Sequence, residues 1–302
     1  MIKMSASFTA ISLVAVIGVC STFIGAASGV IPCLISGHGH MVRARKPVRF
    51  DGDIDAGIIG GSEVPDGTAP WMVSIQTTEY TKPMHVCGGV LVAPQWVLTA
   101  AHCVCSAHTS DLLVVAGEQH LFSYDGTEVT VRVSHVEIFK DFRPLTRTND
   151  IALVKLNCAL EMTANVQTIT FQQSQGPQVD EWCDVYGWGA ITEDGSIEDE
   201  LSKSSQQVYS SEDCVRSYPG LIHEGMMCAG DAEAGSGPCQ GDWGGPLVCR
   251  SNELFGIASW SAGCGSGSHP TVYANTSVYW DWIEATISSH FHYPSTQKCP
   301  QK

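Results

Sequence analysis

Thirteen cysteines in a chain of 302 residues constrain this protein more than any other feature. That many thiols would stand unpaired in a reducing cytosol, whereas an oxidising compartment closes them into bridged loops. The N-terminus agrees with export. Lys3 precedes an apolar run from Phe8 to about Ile24, and Gly25, Ala26 and Ala27 offer small side chains to a signal peptidase. Residues 1–27 are therefore predicted to be a cleaved signal peptide. The apolar character continues from Ile31 to Ile35, which would suit a signal anchor, but Pro32 and the many Gly and Ser residues favour cleavage. A secreted, extracellular protein without stable membrane association is expected.

Residues 28–57 read as a propeptide or linker. From about residue 36 they are polar and aperiodic, with a basic cluster (Arg43, Arg45, Lys46, Arg49) followed by alternating acids (Asp51, Asp53, Asp55). From Ile58 the texture changes to short β-rich runs, at 71–76, 89–92, 112–115 and 129–133, punctuated by Gly, Pro, Asn and Asp. A hydrophobic content of 44% over this length is enough to bury the core of one large all-β unit or two smaller ones. The exception comes last, where Val278, Trp282, Ile283 and Ile287 share one helical face behind Asn275, Thr276 or Ser277 as candidate N-cap. A formal charge of −15 argues against nucleic acid as a partner.

Four segments carry chemistry. Leu98-Thr99-Ala100-Ala101-His102-Cys103 places a histidine just after a strand, where a general base is held rigidly. In Asn149-Asp150-Ile151-Ala152-Leu153-Val154 an aspartate leads into an apolar strand, suited to accept the other N–H of an imidazole. The third is Cys239-Gln240-Gly241-Asp242-Trp243-Gly244-Gly245-Pro246, and the fourth is Ser259-Trp260 followed by Gly263-Cys264.

In this order, with Ile58-Ile59-Gly60-Gly61 at the start and Gly187-Trp188-Gly189 between, the chain resembles the chymotrypsin/trypsin family of serine proteases from residue 58 to about 289. The resemblance implies an all-β fold of two antiparallel six-stranded β-barrels with a C-terminal helix, over a domain 58–290 and a tail 291–302. It also implies that the Gly-Asp-x-Gly-Gly turn presents a serine, which attacks after His102, oriented by Asp150, takes its proton. Here that position is Trp243. An indole N–H only donates, and it forms no acyl ester. Losing the nucleophile of such a triad lowers turnover by about 10⁶, and the bulk of Trp243 would occupy the space of the substrate carbonyl. His102 and Asp150 then read as a vestigial, hydrogen-bonded pair.

By the same resemblance, cleavage before Ile58 would free an ammonium that pairs with Asp242 and shapes the oxyanion hole at Gly241. Gly57, however, gives a trypsin-like activator no side chain to recognise. The substrate pocket would have Gly237 at its base, Ser259 and Trp260 beside it, and Ser261 and Thr271 as walls. With no buried acid, it would favour small apolar side chains. The reading is thus a secreted non-catalytic homologue that binds a protein partner or substrate-like peptide. The alternative is an active serine-type endopeptidase of elastase/chymotrypsin-like preference, should residue 243 be a serine.

The resemblance also pairs Cys87 with Cys103, Cys183 with Cys249, Cys214 with Cys228, and Cys239 with Cys264. With Cys20 lost in the signal, Cys33, Cys105, Cys158 and Cys299 remain, and three pairings stay open. Cys33 is a candidate tether for the propeptide. Residues 117–128 resemble the family's calcium loop: carboxylates of Glu118, Asp125 and Glu128 and carbonyls of His120 and Ser123 would bind calcium as a structural ion, and no cofactor is required. Asn275-Thr276-Ser277 is a glycosylation sequon, though Asn275 also suits a helix cap.

Overall fold

The computed structural model describes residues 57–171, 176–233, 235–250, 252–289, 298 and 299. The signal and propeptide expectations, with Cys20 and Cys33, lie outside these residues, as does most of the tail.

Thirteen strands and three short helices make up the described chain. In the first half, β1 (Ser62–Glu63) precedes β2 (Met72–Thr77), β3 (Met84–Ala93), β4 (Trp96–Thr99), α1 (Ala101–Val104), β5 (Leu112–Ala116), β6 (Val129–Ile138) and β7 (Ala152–Leu156). Strands β2 to β7 close into an antiparallel barrel in the order β2-β3-β4-β7-β6-β5. The second half holds β8 (Trp182–Gly187), β9 (Ser202–Val208), α2 (Ser211–Ser217), β10 (Met226–Gly230), β11 (Pro246–Cys249), β12 (Glu253–Trp260), β13 (Thr271–Asn275) and α3 (Trp280–Ser289). It forms the sheet β9-β10-β13-β12-β11-β8, which a β8–β9 pairing closes, while β1 adds to the outside of β9. This is the expected pair of six-stranded barrels with a C-terminal helix.

Period-two patterning drives each closure. In β6, Val131, Val133 and Val136 turn inward among Val73, Ile75, Leu91, Val114 and Val154 to fill the first barrel. Ile58, Val185, Leu247, Phe255 and Tyr273 fill the second. Trp71, Leu98, Tyr186, Trp188 and Ile257 form a third cluster, which Ile283 and Ile287 of α3 join.

Two expectations needed correction. The strand read at 89–92 is the inner part of a longer one, Met84–Ala93, which pairs with β2 through a register shift that sets Ile75 opposite Cys87 and Gln76 opposite His85. The C-terminal helix begins only at Trp280, and neither Asn275, Thr276 nor Ser277 caps it. Asn275 still pairs with Gly256 in β13, and its carboxamide oxygen accepts from Ser277 N (3.2 Å) and Oγ (2.7 Å) in a local turn. Val278 is accordingly left half exposed, outside the helix.

All four implied disulfides are present: Cys87–Cys103, Cys183–Cys249, Cys214–Cys228 and Cys239–Cys264. A fifth joins Cys158 to Cys299 across 141 residues, stapling the tail to the first barrel. No helix among the described residues is long and apolar enough to cross a membrane.

Candidate active site

The site is built from both barrels. From the first, β4 delivers Ala100 in an extended conformation and the chain then turns into α1, which carries His102. Asp150 precedes β7 after a loop bent by two left-handed residues, Arg147 (φ 54°) and Asn149 (φ 56°). The Tyr279 hydroxyl of the C-terminal segment steadies that loop by donating to Asn149 Oδ1 at 2.9 Å.

Asp150 is 1% exposed, so its charge must be met by donors. It is met three times. Oδ1 accepts from the His102 backbone N–H at 2.8 Å, and Oδ2 accepts from His102 Nδ1 at 2.7 Å and from Ser259 Oγ at 2.5 Å. Burial alone would push this carboxyl up. The charge and hydrogen bond of His102, with Arg147 and Ser259, outweigh it and hold the group below its ordinary value. With Nδ1–H committed to Asp150, the neutral imidazole leaves Nε2 as its acceptor.

The second barrel contributes the turn 239–246. Asp242 is fully buried, and its carboxylate accepts from Gly189 N at 2.7 Å and Cys239 N at 2.9 Å. Gly189 is obligatory, since a Cβ there would stand 2.2 Å from Asp242 Oδ2. Burial, only partly offset by those two N–H donors, pushes the Asp242 carboxyl up to about 7. Ile58 is buried close by, its N 3.4 Å from the Gly189 carbonyl oxygen. At Gly244 a Cβ would lie 2.2 Å from Thr99 Oγ1, so the turn presses directly on the first barrel.

Trp243 is half-buried where that turn meets the barrels, packed against the cores of both. Its carbonyl accepts from Gly88 N at 2.9 Å. Among the described residues, the backbone N–H groups of Gly241 and Trp243 donate to no backbone carbonyl. The indole lines a cleft of about 350 Å³ with His102, Gly241, Met84, Val86 and Ile197. Cys87, His102 and Cys103 also converge here, but the two sulfurs form a disulfide and offer no thiolate to a metal.

Sequence reasoning missed His85. Its Nε2–H donates to the Gly241 carbonyl at 2.8 Å, and Nδ1 accepts from Ser74 Oγ at 2.8 Å. Burial, opposed by the bond to Gly241, lowers its pKa to about 4, so the ring is neutral and ties the 239–246 turn to β3. A histidine inside an otherwise apolar strand run was the available signal.

Around the pocket, Ser261 Oγ donates to the Gly263 carbonyl at 2.6 Å, Trp260 stacks edge-on against Tyr218, and Thr271 is buried. A second missed residue, Gln206, enters here: its Oε1 lies 3.3 Å from where a Gly237 Cβ would be, and this buried oxygen has no hydrogen-bond partner among the described residues. A buried polar atom therefore sits beside Gly237. The clue was a glutamine at an inward-facing position of β9.

In the 117–128 loop, Asp125 bonds His120 Nδ1 at 2.9 Å, and the Glu128 carboxylate accepts from the N–H groups of Asp125 (2.6 Å) and Gly126 (2.8 Å). The carboxylates of Glu118, Asp125 and Glu128 do not converge within 4.8 Å in this arrangement. Burial, then Glu128, Asp125 and Asp199, push the Glu118 carboxyl up to about 8. Ser123 is exposed on the same loop.

Two six-stranded barrels with a histidine–aspartate pair at their junction and an oxyanion turn beside it define a chymotrypsin-type hydrolase scaffold. The Trypsin family model matches residues 58–283, and the chain belongs to that family. It is 38% identical to a trypsin of Squalus acanthias over 238 residues, which is 78% of this chain and 99% of that protein. It is 37% identical to trypsin I-P1 of Gallus gallus, over 78% of this chain and 91% of the relative. Serine protease 56 of Homo sapiens is 37% identical over 77% of this chain and 39% of its own length.

Proposed function

We propose that this chain is a secreted serine protease homologue that binds a protein or substrate-like peptide without cleaving it. One observation carries the reading: at the turn where the family presents its nucleophile, the side chain is the indole of Trp243. His102 Nε2, 3.7 Å from the Cys103 disulfide sulfur, could still act as base, but Trp243 has no hydroxyl from which it could take a proton and no atom able to form an acyl ester. Gly241, Ile58 and Asp242 retain the oxyanion and activation positions, and Gly237, Ser259, Trp260, Ser261 and Thr271 retain the surface against which a peptide would lie.

Calcium fits this reading as a structural ion in the 117–128 loop. Glu118 supplies a half-buried, crowded carboxyl that would give up its proton to the ion, while Asp125 and Glu128 would exchange their present donors for it.

The test is covalent labelling. Protein from the medium of secreting cells, cut between Gly57 and Ile58 by an elastase-like enzyme, should not react with a fluorophosphonate probe. A labelled residue in the 239–246 turn would refute the proposal and restore the endopeptidase reading.

A further inference from the structure

Ten of the described cysteines form the five bridges given above, and the eleventh, Cys105, is disulfide-bonded as well. Of the thirteen cysteines in the sequence, only Cys20 and Cys33 are left as intrachain partners for Cys105. Cys105 ends α1, three residues beyond His102, and its neighbours Cys103, Ser106 and Ala107 all line the 350 Å³ cleft beside Trp243. The apolar part of that cleft's lining includes Met84, Val86, Leu112, Ile197 and Trp243. Cys33 sits in a matching apolar stretch, Ile31-Pro32-Cys33-Leu34-Ile35, on the far side of the expected signal cleavage from Cys20.

We propose that Cys33 bridges Cys105 and seats Leu34 and its apolar neighbours in this cleft, so that the chain's own N-terminal segment covers the face of Trp243. The volume is at the low end for ligand pockets, room for a few aliphatic side chains rather than a folded domain. The bridge makes docking intramolecular, with a local concentration on the order of millimolar. The 25 residues from Cys33 to Ile58 reach at most about 85 Å, so tethering at one end does not prevent Ile58 from lying beside Gly189. Cutting at 57/58 would then leave the segment attached. An external partner would meet the other side of the site, where Trp260 and Ser261 lie. This inference does not depend on whether the protein is catalytic.

Two measurements on the full secreted chain test it. Non-reducing peptide mapping by mass spectrometry should recover Cys33 linked to Cys105; a free Cys105, or Cys105 linked to another residue, overturns the bridge. Hydroxyl-radical footprinting reads the seating, because Met84 and Trp243 oxidise according to their exposure. In Leu34→Asp, or in the milder Ile35→Ser, both should oxidise at least about threefold faster with the bridge intact. Unchanged rates in both variants overturn the seating.

Discussion

His102 and Asp150 on the first barrel and the 241–245 turn on the second face each other, and they are held differently. On the first side the geometry lives in side chains: altering Asp150 would strand the His102 N–H, its Nδ1–H and the Ser259 hydroxyl. On the second it lives in the backbone, held by Gly88, Gly189, Gly244 and the buried Asp242. These bonds and close approaches do not involve the side chain of Trp243, which packs against the cores of both barrels. The turn's backbone can therefore carry a tryptophan at residue 243 with its hydrogen bonds in place.

The strongest way to break this comparison is to restore the missing atom. In protein cut at 57/58, Trp243→Ser should raise hydrolysis of a small-side-chain ester by up to about 10⁶, and adding His102→Ala should abolish the gain. No gain would mean that the dyad, although bonded, is no longer competent.

The next effect reads the turn through Asp242. Its folded pKa of about 7 stands above the ordinary 3.8, so the protonated folded form is favoured, and the uncut chain should lose stability as pH rises from about 4 to 7. The loss is at most on the order of 4 kcal/mol. His85 acts in the opposite sense, losing stability as pH falls from 6.5 towards 4. It is common to cut and uncut protein, so the difference between their pH profiles isolates Asp242. An Ile58 ammonium should make the cut form gain over the uncut form through that window in urea melts. A flat difference would show that the ammonium never reaches Asp242.

On the dyad side, Ser259→Ala removes one of three donors to a buried carboxylate. It should destabilise the protein by about 1–3 kcal/mol and raise the Asp150 pKa, both measurable by pH-dependent unfolding. A neutral substitution would break the claim that side chains hold this half.

The barrels and four disulfides followed from the family resemblance that the short motifs carry, and the positions of His102, Asp150 and Trp243 were legible because each sits in such a local motif. His85, Gln206 and Arg147 were not. They reach the site from β3, β9 and a loop, and their meaning depends on contacts to Gly241, Gly237 and Asp150 that span from three to 156 residues. Cys158 with Cys299 was equally opaque, since nothing local connects positions 141 residues apart. The helix start was misread for a related reason: Asn275 carries a capping side chain, but tertiary pairing with Gly256 keeps it in the sheet.

The smallest effect tests whether the two halves communicate. Gln76 Nε2 donates to Glu118 Oε2 (3.5 Å) and to Ser74 Oγ (3.2 Å), and Ser74 bonds His85, which holds the Gly241 carbonyl. A hydrogen-bonded chain thus runs from the acidic loop of the first barrel to the oxyanion turn of the second. Calcium at ten times its Kd should stabilise the protein by about 1.4 kcal/mol, a rise of about 3–5 °C in Tm, and Glu118→Gln should remove the effect. If the chain is mechanically real, calcium should also slow amide exchange at Gly241 in the parent but not in Gln76→Ala. Exchange that responds equally in both would leave the two halves coupled only by packing, and a Tm indifferent to calcium would make the loop a solvated acidic turn.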